Sequence, residues 1–258
     1  MTLAVTISLG KVATALVLVA VAAAVSLWRH ADLEKDLGVA VLRSFIQLTA
    51  VGYVIKAIFN SNSLWVVTAL LAVMVAVGTW TARSRAKGVP GATVPIAIGL
   101  GLAAATTIGM VVALGVFEPK PRFLVPVGGM VIGNAMTSAA VALNRLADDV
   151  AGQAGRIEAT LALGATARQA TSRLAARSLR SAMIPVIDQT KTTGIVAFPG
   201  AMVGMLLAGA EPVDAVRLQL VLLWVLMGAV ALSAVIAISL GYRGFFTDAH
   251  QLKEPPEE

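Results

Sequence analysis

The residues of this sequence with chemistry to offer are charged or amide side chains set inside apolar stretches. Asp188 and Lys191 lie three apart, so on a helix they share a face. Arg43 and Gln47 lie four apart and do the same. A charge in hydrocarbon is costly, so such residues face a cavity or a partner. Two readings follow. One is a translocation pathway or gate. The other is an intrahelical ion pair near the cytoplasmic interface, with Lys191 and Arg43 snorkelling towards water. Asp188 is the one carboxylate inside an apolar stretch, and hard cations take oxygen ligands. Met130, Met136, Met202 and Met205 fall in two neighbouring stretches. Thioethers suit a soft ion such as Cu(I), and equally they fill gaps between packed helices. Asp188 with Met130, Met136 and Met202 is therefore the candidate metal set.

Other catalytic constellations are missing from the sequence. Gly10-Lys11 is followed by Val12 rather than Ser or Thr, so there is no phosphate-binding loop. There is no HExxH, no GxSxG and no metal-spaced histidine pair; His30 and His250 stand alone. With no cysteine there is no disulfide framework, thiolate cage or thiol nucleophile. No catalytic residue is assigned, and no cofactor is expected on this chain.

The elements that must hold these residues are dictated by composition. Of 258 residues 58% are apolar and 13% charged, against about 45–50% and roughly 25% in soluble domains. That excludes an ordinary soluble domain and intrinsic disorder. A bilayer core of about 30 Å needs about 20 apolar helical residues. Seven stretches qualify, at about 4–27, 39–59, 64–81, 94–116, 123–143, 183–208 and 217–240. They do not alternate as barrel strands would. The expected fold is an all-α, multi-pass transmembrane bundle of about seven spans. Trp28, Trp65 and Trp80 fall at predicted span ends, as an interfacial aromatic belt would place them.

Orientation follows from Lys and Arg in the connectors. The third connector carries Arg83, Arg85 and Lys87, and the fifth, about 144–182, carries six arginines: Arg145, Arg156, Arg168, Arg173, Arg177 and Arg180. The second, Asn60–Ser63, has no charge, and the sixth carries Glu211 and Asp214. Connectors three and five are thus expected in the cytoplasm, with the N-terminus outside and the C-terminus cytoplasmic. Lys120 and Arg122 in connector four run weakly against this. The formal charge of +6 fits such retained loops better than a nucleic-acid binder. A rival reading takes the first stretch as a cleaved signal peptide, which would put the six arginines outside. Residues 1–243 are expected to form a single transmembrane domain, with a cytoplasmic, disordered tail over 244–258.

The sixth stretch is broken by Pro185, Gly194, Pro199, Gly200, Gly204 and Gly209. Interrupted helices at membrane depth surround transport sites, or simply kink to pack. Gly129-x-x-x-Gly133 and Gly200-x-x-x-Gly204 read as small-residue seams. The Arg156–Arg180 region reads as one or two amphipathic helices. Within it, Glu158-Ala159-Thr160 followed by Gly164 and Ala165 is similar in spacing to the cytoplasmic coupling loop of ABC-transporter permeases. A short helix of this kind docks in a groove of a partner, or lies on the membrane surface.

Across most of its length the sequence resembles the FetB-type permease family. The matching stretches are Leu33–Asp36, Arg43 with Ile46-Gln47-Leu48, Val51–Val54, Gly129–Met136 (including Asn134) and Leu163–Thr166. They continue through Ile184-Pro185, Asp188, Lys191-Thr192, Gly194, Pro199-Gly200, Met202 and Gly209 to Pro212, Ala215 and Gln219. The resemblance runs from about residue 33 to about residue 243. It implies the membrane subunit of a bacterial ABC transporter linked to iron export, with plant relatives tied to aluminium tolerance. It implies a separate ATPase subunit carrying ATP and Mg, a homodimer of the permease, residence in the bacterial inner membrane, and no nucleic-acid partner. Glu158, Ala159, Gly164 and Ala165 would couple to the ATPase. Arg43, Gln47, Asn134, Asp188, Lys191, Pro199 and Gly200 would line the route. The competing expectations are a stand-alone secondary carrier using Asp188 and Lys191, and a membrane scaffold that recruits a partner through connector five.

Overall fold

The computed structural model describes residues 9–61, 63–86 and 88–253. Lys87, residues 4–8 of the first expected span and residues 254–258 of the expected tail lie outside the described residues. The helices are α1 (Leu9–Arg29), α2 (Glu34–Ser61), α3 (Leu64–Arg85), α4 (Thr93–Ala113), α5 (Pro121–Gly152), α6 (Ala154–Ala162), α7 (Ala167–Thr192), α8 (Gly200–Leu207) and α9 (Pro212–Gly241). Six of them, α1 to α5 and α9, are long and apolar enough to cross a membrane. The sixth expected span, 183–208, is not one helix. It is the last turns of α7, an irregular link, and α8.

Local chemistry explains several boundaries. Pro121 and Pro212 open α5 and α9, where the missing N–H would have no partner anyway. Thr166 opens α7 with a capping box: Gln169 N–H donates to Thr166 Oγ1, and Thr166 N–H donates to Gln169 Oε1 at 2.8 Å. Connector five is thus three pieces: the end of α5, then α6, then the arginine-rich half of α7. In connector four Lys120 pairs with Glu118, which offsets the positive charge there. The hydrogen bond from Lys120 and then its charge hold the Glu118 carboxyl below its ordinary pKa.

The core is built on α9, which packs against α4, α5 and α7. Its seams are lined by small buried residues: Ala103, Ala135, Ala139, Ala142, Ala229, Ala234 and Ala237. Small side chains let helices approach closely where lipid gives no hydrophobic drive. Two buried serines tie helices together. Ser138 Oγ donates to Ala182 O and Ser233 Oγ to Ala135 O, each at 3.4 Å. Of the four glycines in the expected seams only Gly129 is closely approached, a Cβ there lying 3.1 Å from Met74 Cε on α3. Gly133, Gly200 and Gly204 have nothing within 4 Å of where a Cβ would stand. On α4, a Cβ at Gly99 would meet Ser233 O at 2.9 Å. Gly99→Ala should therefore cost roughly 1–3 kcal/mol by overpacking, whereas Gly133→Ala should be neutral or stabilising by up to about 1 kcal/mol. Thermal unfolding of both variants in detergent checks the contrast.

The pair α1–α2 forms an arm with little attachment. Among the described residues of α2 only Ile58 is buried, packed with Val67, Leu124 and Val125 near one end of the body. Among those of α1 Ser26 is the buried one, held by Glu34 at 2.8 Å and by the Leu33 N–H. Trp28, Trp65 and Trp80 are exposed, as lipid-facing belt residues are.

The tail expectation is corrected for residues 244–253. Tyr242–Phe245 form a 3-10 turn, and Phe245 and Phe246 are buried in the main core. Phe246 pairs with Leu252, and the Lys253 N–H donates to Phe245 O at 2.8 Å. Gly244 permits this hook to form, since a Cβ there would run into Pro90 O. Burying two phenylalanines outweighs the polar character of the segment.

Candidate functional site

The two serine bonds fix the register of the bundle. Ala182 is level with Ser138, and Ser233 with Ala135. Val186, further along α7, packs beside Met130, and a Cβ at Gly241, further along α9, would meet Leu143, so α7 runs antiparallel to α5 and α9 runs parallel to it. By that register Asp188, six residues beyond Ala182, is level with Ile132 and Val230. Val186 packs with Leu226 and Val230, in agreement. Ile132 lies about 16 Å from the start of α5 at 1.5 Å per residue. That is half of a 30 Å hydrocarbon layer. Asp188 is thus level with the middle of the apolar part of α5, and it is exposed on the protomer.

An ion pair between Asp188 and Lys191 is not formed within the protomer. Among the described residues the ion pairs are Glu118–Lys120, Arg145–Asp149 and Asp214–Arg217. Lys191 is exposed one turn further along α7. Asn134 is exposed on α5 one turn from Ser138, so it stands on the side facing α7, level with Val186. Its Nδ2 donates to Met130 O at 2.8 Å, leaving the amide oxygen free to accept. By the same register Asn134, Asp188 and Lys191 follow one another over about 7.5 Å of depth, five residues at 1.5 Å each.

The link 193–199 ends α7 just past these residues. Gly194 has φ +87°, a conformation that favours glycine. Thr192 O accepts from the N–H groups of Ile195, Val196 and Ala197, and the Gly194 N–H donates to Ala197 O at 2.9 Å. The break thus satisfies its own backbone, as membrane depth requires. Threonine hydroxyls cover more of the last turn: Thr190 donates to Val186 O, Thr192 to Asp188 O and Thr193 to Gln189 O. Pro199 caps α8, which Gly200 opens against α9. Ile195, Val196 and Phe198 remain exposed.

The other expected members are placed elsewhere. Arg43 and Gln47 are exposed on α2, which rests on α1, α3 and α5. They are not brought to α7 within the protomer. The methionines are split. Met130 packs beside Val186 and Leu226, while the Met136 sulfur lies 3.9 Å from the Cβ position of Gly78 on α3. Met202 is buried on α8. Among the described residues no group of three or more His, Cys, Asp or Glu is placed to hold a metal ion.

The second candidate region is α6 and its turn. Ile157 anchors the helix in the core, while Glu158 and Ala159 are exposed. Gly164 has φ +89° and its N–H donates to Leu161 O at 2.9 Å. Leu163, at the tip, is 90% exposed, an apolar side chain offered outward. Ala165 leads into the capping box of α7. A cleft of about 400 Å³ runs between Glu158, Leu161, Ala162 and Ala165 on one side and Ala249–Leu252 of the C-terminal hook on the other. The hook's part in this surface was not foreseen. Its one signal is the apolar pair Phe245-Phe246, followed six residues after Phe246 by Leu252 in a polar stretch.

Comparison with known proteins places this arrangement. The family described as "Uncharacterised protein family (UPF0014)" matches residues 9–246. The chain is 42% identical over 245 residues to the UPF0014 membrane protein STAR2 of Oryza sativa subsp. japonica, covering 95% of this chain and 86% of that protein. It is 42% identical over 246 residues to Protein ALUMINUM SENSITIVE 3 of Arabidopsis thaliana, covering 94% and 89%. It is 36% identical over 242 residues to the Probable iron export permease protein FetB of Escherichia coli (strain K12), covering 94% and 93%. No solved structure matches the chain.

Proposed function

This chain belongs to the UPF0014 family of membrane proteins, and from that premise we propose that it is the permease subunit of an ABC transporter that exports a metal ion, iron by analogy with the FetB relative. The observation that carries the reading is the course of α7. One helix of 26 residues, about 39 Å long, begins three residues after Gly164 and bears Asp188 one turn from its far end. A movement of α6 is thereby passed to the level of Asp188 as a rigid-body displacement. A separate ATPase docks on Glu158, Ala159, Gly164 and Ala165 and carries the ATP and Mg. The arginine-rich face of connector five sets these residues in the cytoplasm of a bacterial cell, with the N-terminus outside.

A second copy of the chain completes the route. Arg43, Asp188 and Lys191 are all exposed on the protomer within apolar spans. A charge at the bilayer centre costs about 2.5–3.5 kcal/mol even on the translocon scale. A homodimer covers these side chains and the sparsely attached arm α1–α2, and surrounds a polar path with Gln47, Asn134, Asp188, Pro199 and Gly200. Two copies of Asp188 supply carboxylate oxygen to a hard cation. The unpaired Asp188 and Lys191 also suit a stand-alone secondary carrier.

Transport in proteoliposomes decides between them. The permease reading expects Fe(II) movement only when the chain, the ATPase and Mg·ATP are all present. Movement at the same rate with the chain alone would establish the carrier instead.

A further inference from the structure

We propose that the cleft between α6 and the arginine-rich half of α7 binds the phosphate headgroup of an anionic phospholipid. The cleft, of about 150 Å³, is lined by Arg156 of α6 and by Arg173 and Arg177 of α7, with Gln153, Thr160 and Gln169 beside them. Arg173 and Arg177 are one helical turn apart and share a face. No carboxylate lines the cleft, and among the described residues none of the three guanidinium groups has an ion pair or hydrogen bond. Three cations around one space repel each other unless an anion is present. Guanidinium groups hold phosphate oxygens through paired N–H donors, and the side-chain amides of Gln153 and Gln169 add neutral donors, while the Thr160 hydroxyl is spent on Arg156 O at 2.8 Å.

Depth selects a lipid over a soluble anion. By the Ser138–Ala182 register, Arg177 is level with Leu143 and Arg173 with Ala147. From Leu143 onward α5 turns from apolar residues to Asn144 and Arg145, and just past Ala147 to Asp148 and Asp149. The two arginines thus stand where hydrocarbon gives way to headgroups, a layer about 5–7 Å thick on each side. Basic pockets between helices at the cytoplasmic face are suited to acidic headgroups. A headgroup held by one residue of α6 and two of α7 would brace the short helix against the long one. Since α6 is otherwise anchored by Ile157 alone among its buried residues, such a brace controls how stiffly it follows α7.

The test uses the full-length chain without any ATPase, so it does not depend on the transport reading. The chain is purified in detergent, delipidated, and offered phosphatidylglycerol or phosphatidylcholine of matched acyl chains. Native mass spectrometry reads the bound lipid. The wild type should retain phosphatidylglycerol preferentially. At about 1 kcal/mol for each arginine near an anionic headgroup, the double variant Arg173→Gln/Arg177→Gln should lose about 30-fold of that affinity. Arg168→Gln, outside the cleft, should keep it. Equal retention of both lipids by the wild type overturns the proposal. So does a preference that survives in the double variant or disappears in Arg168→Gln. A parallel arm titrates inorganic phosphate: stabilisation of the delipidated wild type by phosphate but not by phosphatidylglycerol would assign the cleft to a soluble anion and overturn the lipid assignment.

Discussion

Gly164→Pro is expected to abolish co-purification of the ATPase with this chain while leaving membrane insertion intact. The residue sits at φ +89°, and proline is locked near −65°. Proline also removes the N–H that donates to Leu161 O. The turn that presents Leu163 and leads into α7 cannot form as it stands, so the exposed face of α6 is re-aimed. The substitution lies outside the apolar spans, so the bundle itself is not touched. Gly164→Ala is the graded companion: a left-handed alanine costs about 1–2 kcal/mol, which weakens docking without removing it. Glu158→Lys reverses an exposed charge at the centre of the same face and should behave like the proline variant. Pull-down of the ATPase, with monodispersity in detergent as the folding control, reads all three. Wild-type recovery by both Gly164→Pro and Glu158→Lys would remove α6 from the coupling path.

Asp188→Asn should reduce ATP-driven Fe(II) export by at least about tenfold, the loss expected from disturbing even the outer shell of a metal ligand set. The variant keeps size and helix position and removes only the charge. Because Asp188 is exposed, unpaired and level with the middle of the apolar part of α5, no packing or ion pair within the protomer is lost. Stability should hold or rise, since an uncompensated charge leaves hydrocarbon. ATPase recovery should be unchanged, which separates this variant from those in α6. Full export by Asp188→Asn would place the route elsewhere.

Much of this architecture is readable in the residues. Long apolar runs specify α1 to α5 and α9 because only a helix can satisfy its backbone in hydrocarbon. The interruptions at Gly194, Pro199 and Gly200 announce a break in the sixth stretch, and the structure puts the break between α7 and α8. Glu158 to Gly164 announces a short helix ending in a glycine turn, and α6 is that helix. Other features depend on tertiary register and are not local. The depth of Asp188 follows from Ser138 meeting Ala182, a contact between residues 44 apart in the chain. The ends of an apolar window place Asp188 early in the sixth stretch, while the register of α7 sets it level with the middle of the apolar part of α5. The glycine seams are met at Gly129 and not at Gly133, Gly200 or Gly204, for a related reason. A GxxxG spacing tells which residues share a face, but not whether another helix lies opposite, and at Gly133 nothing does within 4 Å. The C-terminal hook was hidden by its composition: two phenylalanines in a polar stretch are too brief a signal to outweigh the charges around them.

The most direct test of the central claim is Fe(II)-stimulated ATP hydrolysis by the two chains reconstituted together. The account predicts hydrolysis that rises with Fe(II) when this chain is present. In Asp188→Asn the metal-dependent increment should vanish while basal hydrolysis persists. Hydrolysis by the ATPase that is the same with and without this chain, at every Fe(II) concentration, would contradict the assignment of the chain as its permease.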